Sequence, residues 1–381
     1  MGIFFSTETK SPQDEKSTSV AVQPKQTEVK DYKILLLGAG DSGKSTIARQ
    51  TRYIYLNGYT DDEAKDSFHD SCQHNILLCI QLLCRNLEKY GLKPAEDIQK
   101  DVDYYKNINP YELPLENSLV PVITAIWKDP AVQQLYSIHR NEIQLPDVAK
   151  YCLENVDRIA SDSYVPSKQD ILNCLQRTTS TKESEFIVDS AKLNLFDFGG
   201  KRKERRQWFQ HFEGTKAVVF CAALSDYNIT LIEDQAINRL EDTIQLWKEV
   251  LVNPAFKHVP IFLLLTKQDI FREKLGRDPL EKYFSDYTGG DDFQKGVEHI
   301  RNLFFRETPK GLLVVAHVCT ATSTENIKTV FDSIRKSIVN INNQRAARLS
   351  TGSTSSSSTS AAPASPVTNA TTNTPIAQPQ Q

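Results

Sequence analysis

Residues 38–45 read GAGDSGKS, which fits the GxxxxGK[ST] spacing of a loop that binds phosphate groups. The glycines let the backbone approach the phosphates, and the amides at the start of a following helix point hydrogen-bond donors at them. Lys44 supplies a positive charge for the β- and γ-phosphates, and Ser45 supplies a hydroxyl for Mg²⁺. The pattern predicts a site for a Mg²⁺-bound nucleoside triphosphate.

A second motif, DFGGK, occupies residues 197–201 at the end of an apolar run. Asp197 can hold Mg²⁺ through water, and the amide of Gly200 can donate to the γ-phosphate. A bare DxxG is common by chance, but it becomes informative when a phosphate loop precedes it in the chain. The pair of motifs predicts a nucleotide site with its metal.

A third motif, TKQD, follows another apolar run at residues 266–269. The carboxylate of Asp269 can accept hydrogen bonds from N1–H and from the exocyclic amine of guanine, a donor pair that adenine lacks. The stem of Lys267 can lie along the ring. Thr266 stands where Asn is usual and keeps a short hydroxyl. Three motifs in this order favour guanine over adenine.

Composition excludes several other classes of protein. A net charge of −3, from 45 basic and 48 acidic residues, gives no field that favours nucleic acid or an anionic membrane. The seven cysteines are scattered without CxxC spacing, which argues against a zinc site or a disulfide framework and indicates a reducing compartment. The apolar runs are too short to span a bilayer.

In the middle of the chain, between the two terminal segments, apolar runs alternate with amphipathic stretches. Buried strands are predicted at residues 33–37, 193–198, 216–224, 260–266 and 312–318, and helices at 234–250 and 325–339. This alternation predicts an α/β fold around a parallel sheet. Helical periodicity without a strand, at 70–90, 118–126 and 148–159, predicts an all-helical insertion after the first helix.

The two ends of the chain have different compositions from the middle. Residues 1–30 are rich in Ser, Thr, Lys and Gln with two prolines, and they are predicted to form a mobile arm. Residues 350–381 contain almost only Ser, Thr, Ala, Pro, Asn and Gln, and they are predicted to be disordered. Gly2 lies in an MGxxx[ST] pattern for N-myristoylation, which gives reversible membrane binding at most.

The chain resembles an α subunit of a heterotrimeric G protein. The strings that carry the resemblance are LLLGAGDSGKST, YVPSKQDIL, FDFGGKRKERRQW, FCAALSDYN, INRLEDTIQLW, and CTAT followed by TENI. The resemblance implies a P-loop GTPase domain of the Ras-like type, with a mostly parallel six-stranded sheet, at residues 31–57 and 166–349. It also implies that residues 58–165 are the helical domain that this family inserts over the nucleotide.

The resemblance assigns further site residues. Thr178 matches the threonine that completes Mg²⁺ coordination with Ser45 and Asp197, and Ala321 offers a backbone amide to the guanine carbonyl. With these additions, the residues predicted to contact GTP or GDP are Gly38, Ala39, Gly40, Asp41, Ser42, Gly43, Lys44, Ser45, Thr46, Thr178, Asp197, Gly200, Thr266, Lys267, Asp269 and Ala321.

Two positions depart from the family at the catalytic centre. Family members carry arginine at the position of Leu175 and glutamine at the position of Lys201. In this family the arginine stabilises transition-state charge and the glutamine orients the attacking water. Leucine donates no hydrogen bond, and a charged lysine has no acceptor for the water. The sequence therefore predicts slow GTP hydrolysis, with Lys201 able to bind the γ-phosphate instead.

Arg177 offers an alternative interpretation of the catalytic centre. In an extended segment it faces the same side as Leu175 and could reach the phosphates as a displaced catalytic arginine. Family members commonly carry a lysine there that does not catalyse, which favours a surface charge.

The resemblance also implies partners and a location. Residues 202–208, from Arg202 to Trp208, match the second switch, which contacts the βγ dimer or effectors. Contact with a G-protein-coupled receptor is implied through the family's C-terminal end, although residues 344–349 here read QRAARL, with residues 350–381 after them. The expected location is the cytoplasmic face of the plasma membrane, with a cytosolic fraction.

Three functions remain open from the sequence. The first is a G-protein α subunit that cycles between GDP and GTP. The second is a related, hydrolysis-impaired switch or scaffold that stays mostly GTP-bound. The third is a P-loop metabolic kinase or ATPase, which TKQD and CTAT disfavour.

Overall fold

A computed structural model describes residues 30–188, 191–232 and 234–352 of the chain. Residues 1–29 of the predicted mobile arm, with Gly2, and most of the predicted disordered tail lie outside these residues. Lys30, the last residue of the predicted arm, is instead the first residue of a strand. None of the helices within them is long and apolar enough to cross a membrane.

Six strands form one sheet in the order β2-β3-β1-β4-β5-β6. The strands are β1 (Lys30–Gly38), β2 (Lys182–Val188), β3 (Ala191–Asp197), β4 (Ala217–Ala223), β5 (Ile261–Thr266) and β6 (Val314–Val318). All neighbours pair in parallel except β2, which runs antiparallel to β3 at the edge. The predicted mostly parallel six-stranded sheet is confirmed.

Helices cover both faces of this sheet. On one face α1 (Lys44–Tyr55) and α12 (Thr324–Gly352) bury Ile47 and Ile334 against β1, β4 and β5. On the other face lie α9 (Arg239–Leu251), α10 (Gln268–Leu275) and α11 (Phe293–Arg306), with Trp247 and Phe304 buried among them. Every residue of β4 and β5 is buried, as strands covered on both faces must be.

Seven helices between β1 and β2 build a second hydrophobic core. They are α2 (Asp61–Asn86), α3 (Gln99–Tyr105), α4 (Val120–Lys128), α5 (Pro130–His139), α6 (Ala149–Glu154), α7 (Val156–Ile159) and α8 (Lys168–Asn173). Their core centres on fully buried residues of α2 such as Ile76 and Ile80. The threonine hydroxyl of Thr60 caps α2 by accepting from the Glu63 amide, and the Glu63 carboxylate accepts from the Thr60 amide.

The C-terminal helix corrects one predicted boundary. The composition predicted disorder from residue 350 onward, but α12 continues to Gly352. Serine, threonine and glycine have weak helix propensity, yet a helix already formed extends by one bond per residue at small cost. Residues 353–381 lie outside the described part of the chain.

Helix α8 lies beyond the predicted end of the insertion at residue 165 but packs on the same helical core, and it is fixed by a buried carboxylate. Asp170 on α8 has no exposed side-chain surface and receives both Arg158 Nη atoms at 2.7 Å, Tyr151 Oη at 2.8 Å and the Ser167 amide at 2.8 Å. Burial raises the pKa of this carboxyl, but the hydrogen bonds from Arg158 and Ser167 outweigh it and lower the pKa to about 2. The ionised carboxylate therefore stabilises the fold.

Replacing Asp170 by Asn is expected to lower the free energy of unfolding by about 2 kcal/mol at neutral pH. The folded-state pKa lies below the unfolded value, so this stabilisation is present above about pH 4 and is lost as pH falls toward about 2. Urea unfolding of the native chain and of Asp170→Asn at several acidic pH values measures both effects. Asp157→Asn, at an exposed carboxylate in the same insertion, is the matched control. Parallel pH profiles for the native chain and Asp170→Asn would contradict the assignment.

Candidate nucleotide-binding site

The phosphate loop joins β1 to α1 at the carboxyl end of the sheet. Gly43 immediately precedes α1 with φ 88°, and Gly38 has φ 138°, both conformations that side chains disfavour. Asp41 also has a positive φ of 56° and is exposed. The loop therefore wraps the start of α1 and turns the helix amides toward a common point.

Lys44 lies buried inside this loop. Its Nζ donates to the Ala39 carbonyl at 2.6 Å and to Ser42 Oγ at 3.3 Å. Burial lowers the pKa of the ammonium, and the carboxylate of Asp197 opposes that shift. A Cβ at Gly200 would collide with both Lys44 Nζ and the Ala39 carbonyl. The DxxG glycine is thus needed for the close approach of this segment to the phosphate loop.

The three predicted Mg²⁺ ligands converge beside Lys44. Ser45 Oγ and Thr178 Oγ1 are 2.8 Å apart. Asp197 is buried, and its Oδ1 has no hydrogen-bond partner among the described residues. Burial raises the pKa of this carboxyl, so placing a cation next to it is favourable. Two hydroxyls and an unpartnered carboxylate oxygen form a donor set that fits Mg²⁺.

Lys201 and Leu175, the two positions predicted to depart from the family at the catalytic centre, lie differently. The Cγ of Lys201 is 3.3 Å from where a Cβ of Gly40 would stand, so the stem of the lysine packs on the phosphate loop. Leu175 follows α8 and is 37% exposed. The structure therefore places Lys201 against the loop and leaves an apolar, partly exposed side chain at the arginine position.

Arg177 is paired with Glu204. Its Nε donates to Glu204 Oε1 at 2.9 Å, its Nη2 contacts the same oxygen, and the side chain is 43% exposed. The displaced-arginine interpretation is not supported by this conformation. Arg177 instead ties the segment that carries Thr178 to the segment after DFGGK.

Glu204, which no sequence motif indicates, organises the segment after DFGGK. Glu204 is 6% exposed, and its Oε2 accepts from the Lys201 amide at 3.0 Å while Oε1 accepts from Arg177. The residue stands in the run KRKERRQ, where an acid resembles a solvated surface charge. Only the fold brings Arg177 to it.

No sequence motif indicates Asp242 on α9 either. Arg202 Nη2 and Arg205 Nη2 donate to its two oxygens at 2.7 and 2.6 Å, and Arg205 Nε donates to the Gly200 carbonyl at 3.1 Å. Burial raises the pKa of Asp242, but the two arginines lower it overall. These bonds hold the segment after Gly200 against α9.

The segment predicted to bind partners is only partly available for contact. Residues Arg205–His211 form a short 3₁₀ helix in which Trp208 is buried and donates to the Gly199 carbonyl at 3.0 Å. Glu204 is buried as well. The exposed side chains of residues 202–208 are Arg202, Lys203, Arg206 and Gln207, with Phe209 next to them at 65% exposure.

The predicted base-binding residues lie next to the phosphate loop, beside Ser42 and Gly43. Thr266 is fully buried, and its Oγ1 donates to the Ser42 carbonyl at 2.8 Å. Asp269 lies in the first turn of α10 and accepts from Thr320 Oγ1 at 3.3 Å. The Cβ of Ala321 is 3.5 Å from where a Cβ of Gly43 would stand. TKQD and CTAT therefore meet beside the loop.

Thr46 and Lys267 link the site to the helical insertion. Thr46 Oγ1, in the first turn of α1, donates to the Leu172 carbonyl at 3.4 Å. Lys267 Nζ pairs with Asp147 Oδ2 at 2.7 Å. Burial raises the pKa of Asp147, but Lys267 and Lys274 outweigh it and hold the pKa at about 2. Asp147 was missed because its partner is far away in sequence.

Arg239 stabilises the phosphate loop from outside. Arg239 on α9 donates to the Gly40 carbonyl at 3.0 Å and lies 3.5 Å from Asp41 Oδ2. The site therefore combines cationic groups around the loop, a donor set for Mg²⁺ and a carboxylate beside the base pocket. This arrangement can bind a Mg²⁺-nucleoside triphosphate and select its base.

Comparison with known proteins agrees with this geometry. Residues 8–338 match the sequence profile of the family described as G-protein alpha subunit. The guanine nucleotide-binding protein alpha-9 subunit of Dictyostelium discoideum is 45% identical over 339 residues, which cover 89% of this chain and 98% of that protein. The alpha-3 subunit of Neurospora crassa is 35% identical over 316 residues, covering 82% and 88% of the two chains.

Another relative in the same organism as the first is more distant. The guanine nucleotide-binding protein alpha-4 subunit of Dictyostelium discoideum is 35% identical over 314 residues, which cover 81% of this chain and 90% of that protein. The match to the family profile spans both the sheet with its helices and the inserted helices. The chain belongs to the G-protein α-subunit family.

Proposed function

We propose that this protein is a guanine-nucleotide-dependent signalling switch that cycles between GDP and GTP and hydrolyses GTP slowly for its family. The observation that carries the proposal is the placement of Lys201 against Gly40 of the phosphate loop, where the family has a glutamine. The apolar Leu175 at the arginine position supports the same conclusion.

The proposed nucleotide binding is supported by residues in and beside the phosphate loop. Lys44 and the loop amides neutralise phosphate charge, and Asp269 selects guanine over adenine. Ser45, Thr178 and Asp197 would hold Mg²⁺, which neutralises charge on the phosphates when bound. Thr266 fixes the base pocket to the loop through Ser42.

The slow hydrolysis follows from two missing functional groups. Water must be oriented for attack by a side chain that accepts a hydrogen bond, and a lysine ammonium only donates. Charge that develops on the phosphate oxygens needs a donor at position 175, and leucine has none. Arg177 does not replace it, because that guanidinium binds Glu204. Lys201 instead contributes a positive charge that binds the γ-phosphate in the ground state.

Partners and location are part of the same proposal. The exposed side chains of residues 202–208, together with Phe209, form the surface proposed to bind a βγ dimer or an effector. Acylation of Gly2 would bring the protein to the cytoplasmic face of the plasma membrane, with a cytosolic fraction, because one myristoyl chain binds membranes weakly. Coupling to a G-protein-coupled receptor is proposed from the family alone.

A second candidate function is a switch or scaffold that stays mostly GTP-bound. The same two replacements favour it, and it differs from the first candidate only in the hydrolysis rate. A P-loop kinase or ATPase is disfavoured because the family profile covers residues 8–338.

The nucleotide bound to freshly purified protein distinguishes the two candidates. We expect GTP to be retained in a substantial fraction, and bound GTP to decay in single turnover more slowly than about 10⁻² s⁻¹, a typical rate for a family member with its arginine in place. Chromatography of the released nucleotide over time measures both quantities. Fully GDP-loaded protein with decay at that typical rate would contradict slow hydrolysis. No measurable decay would favour the scaffold.

A further inference from the structure

Two buried cysteines meet where the helical insertion rejoins the sheet. Cys72 lies on α2, and Cys174 directly follows α8; they are 3% and 6% exposed. Cys72 Sγ donates to the Asp170 carbonyl at 3.9 Å, one turn before Cys174 in the chain, and the Cys72 and Cys174 thiols shift each other's pKa. Asn75 Nδ2 donates to Cys174 Sγ at 3.8 Å. The two thiols, which come from distant parts of the chain, therefore lie close together between α2 and the end of α8.

Cys174 is the more reactive thiol of this pair. The interaction with Cys72 and the nearby guanidinium of Arg49 lower the pKa of Cys174, while the same interaction and burial raise the pKa of Cys72. Burial raises the pKa of the five other cysteines, which are Cys79, Cys84, Cys152, Cys221 and Cys319. Cys174 is also the neighbour of the partly exposed Leu175.

The position of Cys174 connects it to the nucleotide site. Arg49 on α1 donates to the Cys174 carbonyl at 2.6 Å and to the Ile171 carbonyl at 2.8 Å. Beyond Cys174 the chain runs through Leu175 to Thr178, whose hydroxyl contacts Ser45. A bond between Cys72 and Cys174 would tie α2 to the start of this segment.

We propose that Cys72 and Cys174 form a reversible disulfide with hydrogen peroxide as oxidant, and that this bond slows release of the bound nucleotide by restraining the segment from Cys174 to Thr178. The effect on release rests on the proposed guanine-nucleotide binding, whereas formation of the disulfide does not.

The chemistry balances with peroxide alone. The Cys174 thiolate attacks one peroxide oxygen, the O–O bond breaks, and Cys174 becomes a sulfenic acid as hydroxide leaves. The Cys72 sulfur then attacks the Cys174 sulfur and displaces hydroxide. The first hydroxide takes up the proton that Cys174 lost as it became a thiolate, and the second takes up the Cys72 thiol proton, so both leave as water. In total, two thiols and one peroxide give one disulfide and two waters, and a thiol reductant reverses the change.

The disulfide is tested on the full chain without any substitution. The protein is treated with hydrogen peroxide, blocked with an alkylating agent and digested without reduction. Mass spectrometry is expected to find a peptide containing Cys72 joined to one containing Cys174, and dithiothreitol is expected to separate them. Both cysteines recovered only as alkylated thiols, or as sulfinic acids, would overturn the proposal, whether or not the protein binds guanine nucleotides.

The effect on nucleotide release is measured with a fluorescent GDP analogue. Peroxide is expected to slow its dissociation about fivefold or more in the native chain, as typical coupling between sites would give, and dithiothreitol to restore the rate. Cys72→Ala should abolish this response, and Cys84→Ala, at a buried cysteine of the same helix, should retain it. A linked Cys72–Cys174 peptide with an unchanged dissociation rate would overturn the regulatory role.

Discussion

The double variant Leu175→Arg, Lys201→Gln is expected to hydrolyse bound GTP about 10³-fold faster than the native chain in a single turnover. The arginine supplies a donor for charge that develops on the transferring phosphate, and the glutamine orients the attacking water. Rapid quench of preloaded protein, with phosphate as the measured product, gives the rate.

The structure indicates that both substitutions fit. Leu175 is partly exposed, so an arginine there displaces no core residue. The contact from position 201 to Glu204 uses the backbone amide, so it survives a change of side chain. Each single variant is expected to recover less than the double, because groups that act on one transition state are not additive.

Arg177→Lys is the matched control for this experiment. It keeps the charge beside Glu204 and is expected to change the hydrolysis rate by no more than about twofold, since the Arg177 guanidinium pairs with Glu204. If the double variant hydrolyses GTP no faster than the native chain, Leu175 and Lys201 are not the cause of slow hydrolysis. A large loss in Arg177→Lys would restore the displaced-arginine interpretation.

The second large effect is expected at the base pocket. Asp269→Ala removes the acceptor for two guanine N–H groups, and hydrogen bonds to a charged group contribute about 1.5–3 kcal/mol each. Affinity for GTP should therefore fall by about 10² to 10⁴-fold. Affinity for ATP should change little, because adenine lacks that donor pair. Competition of both nucleotides against a fluorescent GDP analogue measures the two affinities.

Asp291→Ala controls for the loss of a negative charge from the surface. Asp291 is exposed and precedes α11 in a loop outside the nucleotide site. This variant should keep the native preference for GTP over ATP. Equal preferences in Asp269→Ala and in the native chain would show that another group reads the base.

Apolar runs predicted five strands but not the edge strand β2. Strands such as β4 and β5 are buried on both faces, so nearly every side chain is apolar. β2 reads KESEFIV and is half exposed, with charged residues at its start. It is held by antiparallel pairing with β3, and such pairing leaves a weak signal in a single sequence.

Helix ends were harder to predict than helix interiors. Helix α9 was predicted from residue 234 but begins at Arg239, where Asn238 caps it by accepting from the Leu240 and Glu241 amides. Helix α2 was predicted from residue 70 but begins at Asp61, because the capping box of Thr60 extends it through a polar turn. Periodicity finds a buried face, whereas side-chain caps decide where a helix starts.

The motifs predicted the residues of the candidate nucleotide site, and the fold revealed the groups that support them. Each motif follows a strand of one sheet, so their convergence follows from parallel topology. Glu204, Asp242 and Asp147 could not be found this way, because each is bound to residues far from it in sequence. Their carboxylates resemble surface charges until the tertiary partners are known.

The hydrogen bond between Thr266 and Ser42 has one more consequence. It joins the strand that carries the base-reading residues to the loop that binds phosphate, so the two ends of the pocket cannot move apart independently. The protein is therefore expected to select ligands by the distance between the base and the phosphates. A guanine compound whose phosphates stand closer to or farther from the base than in GDP cannot engage both ends at once.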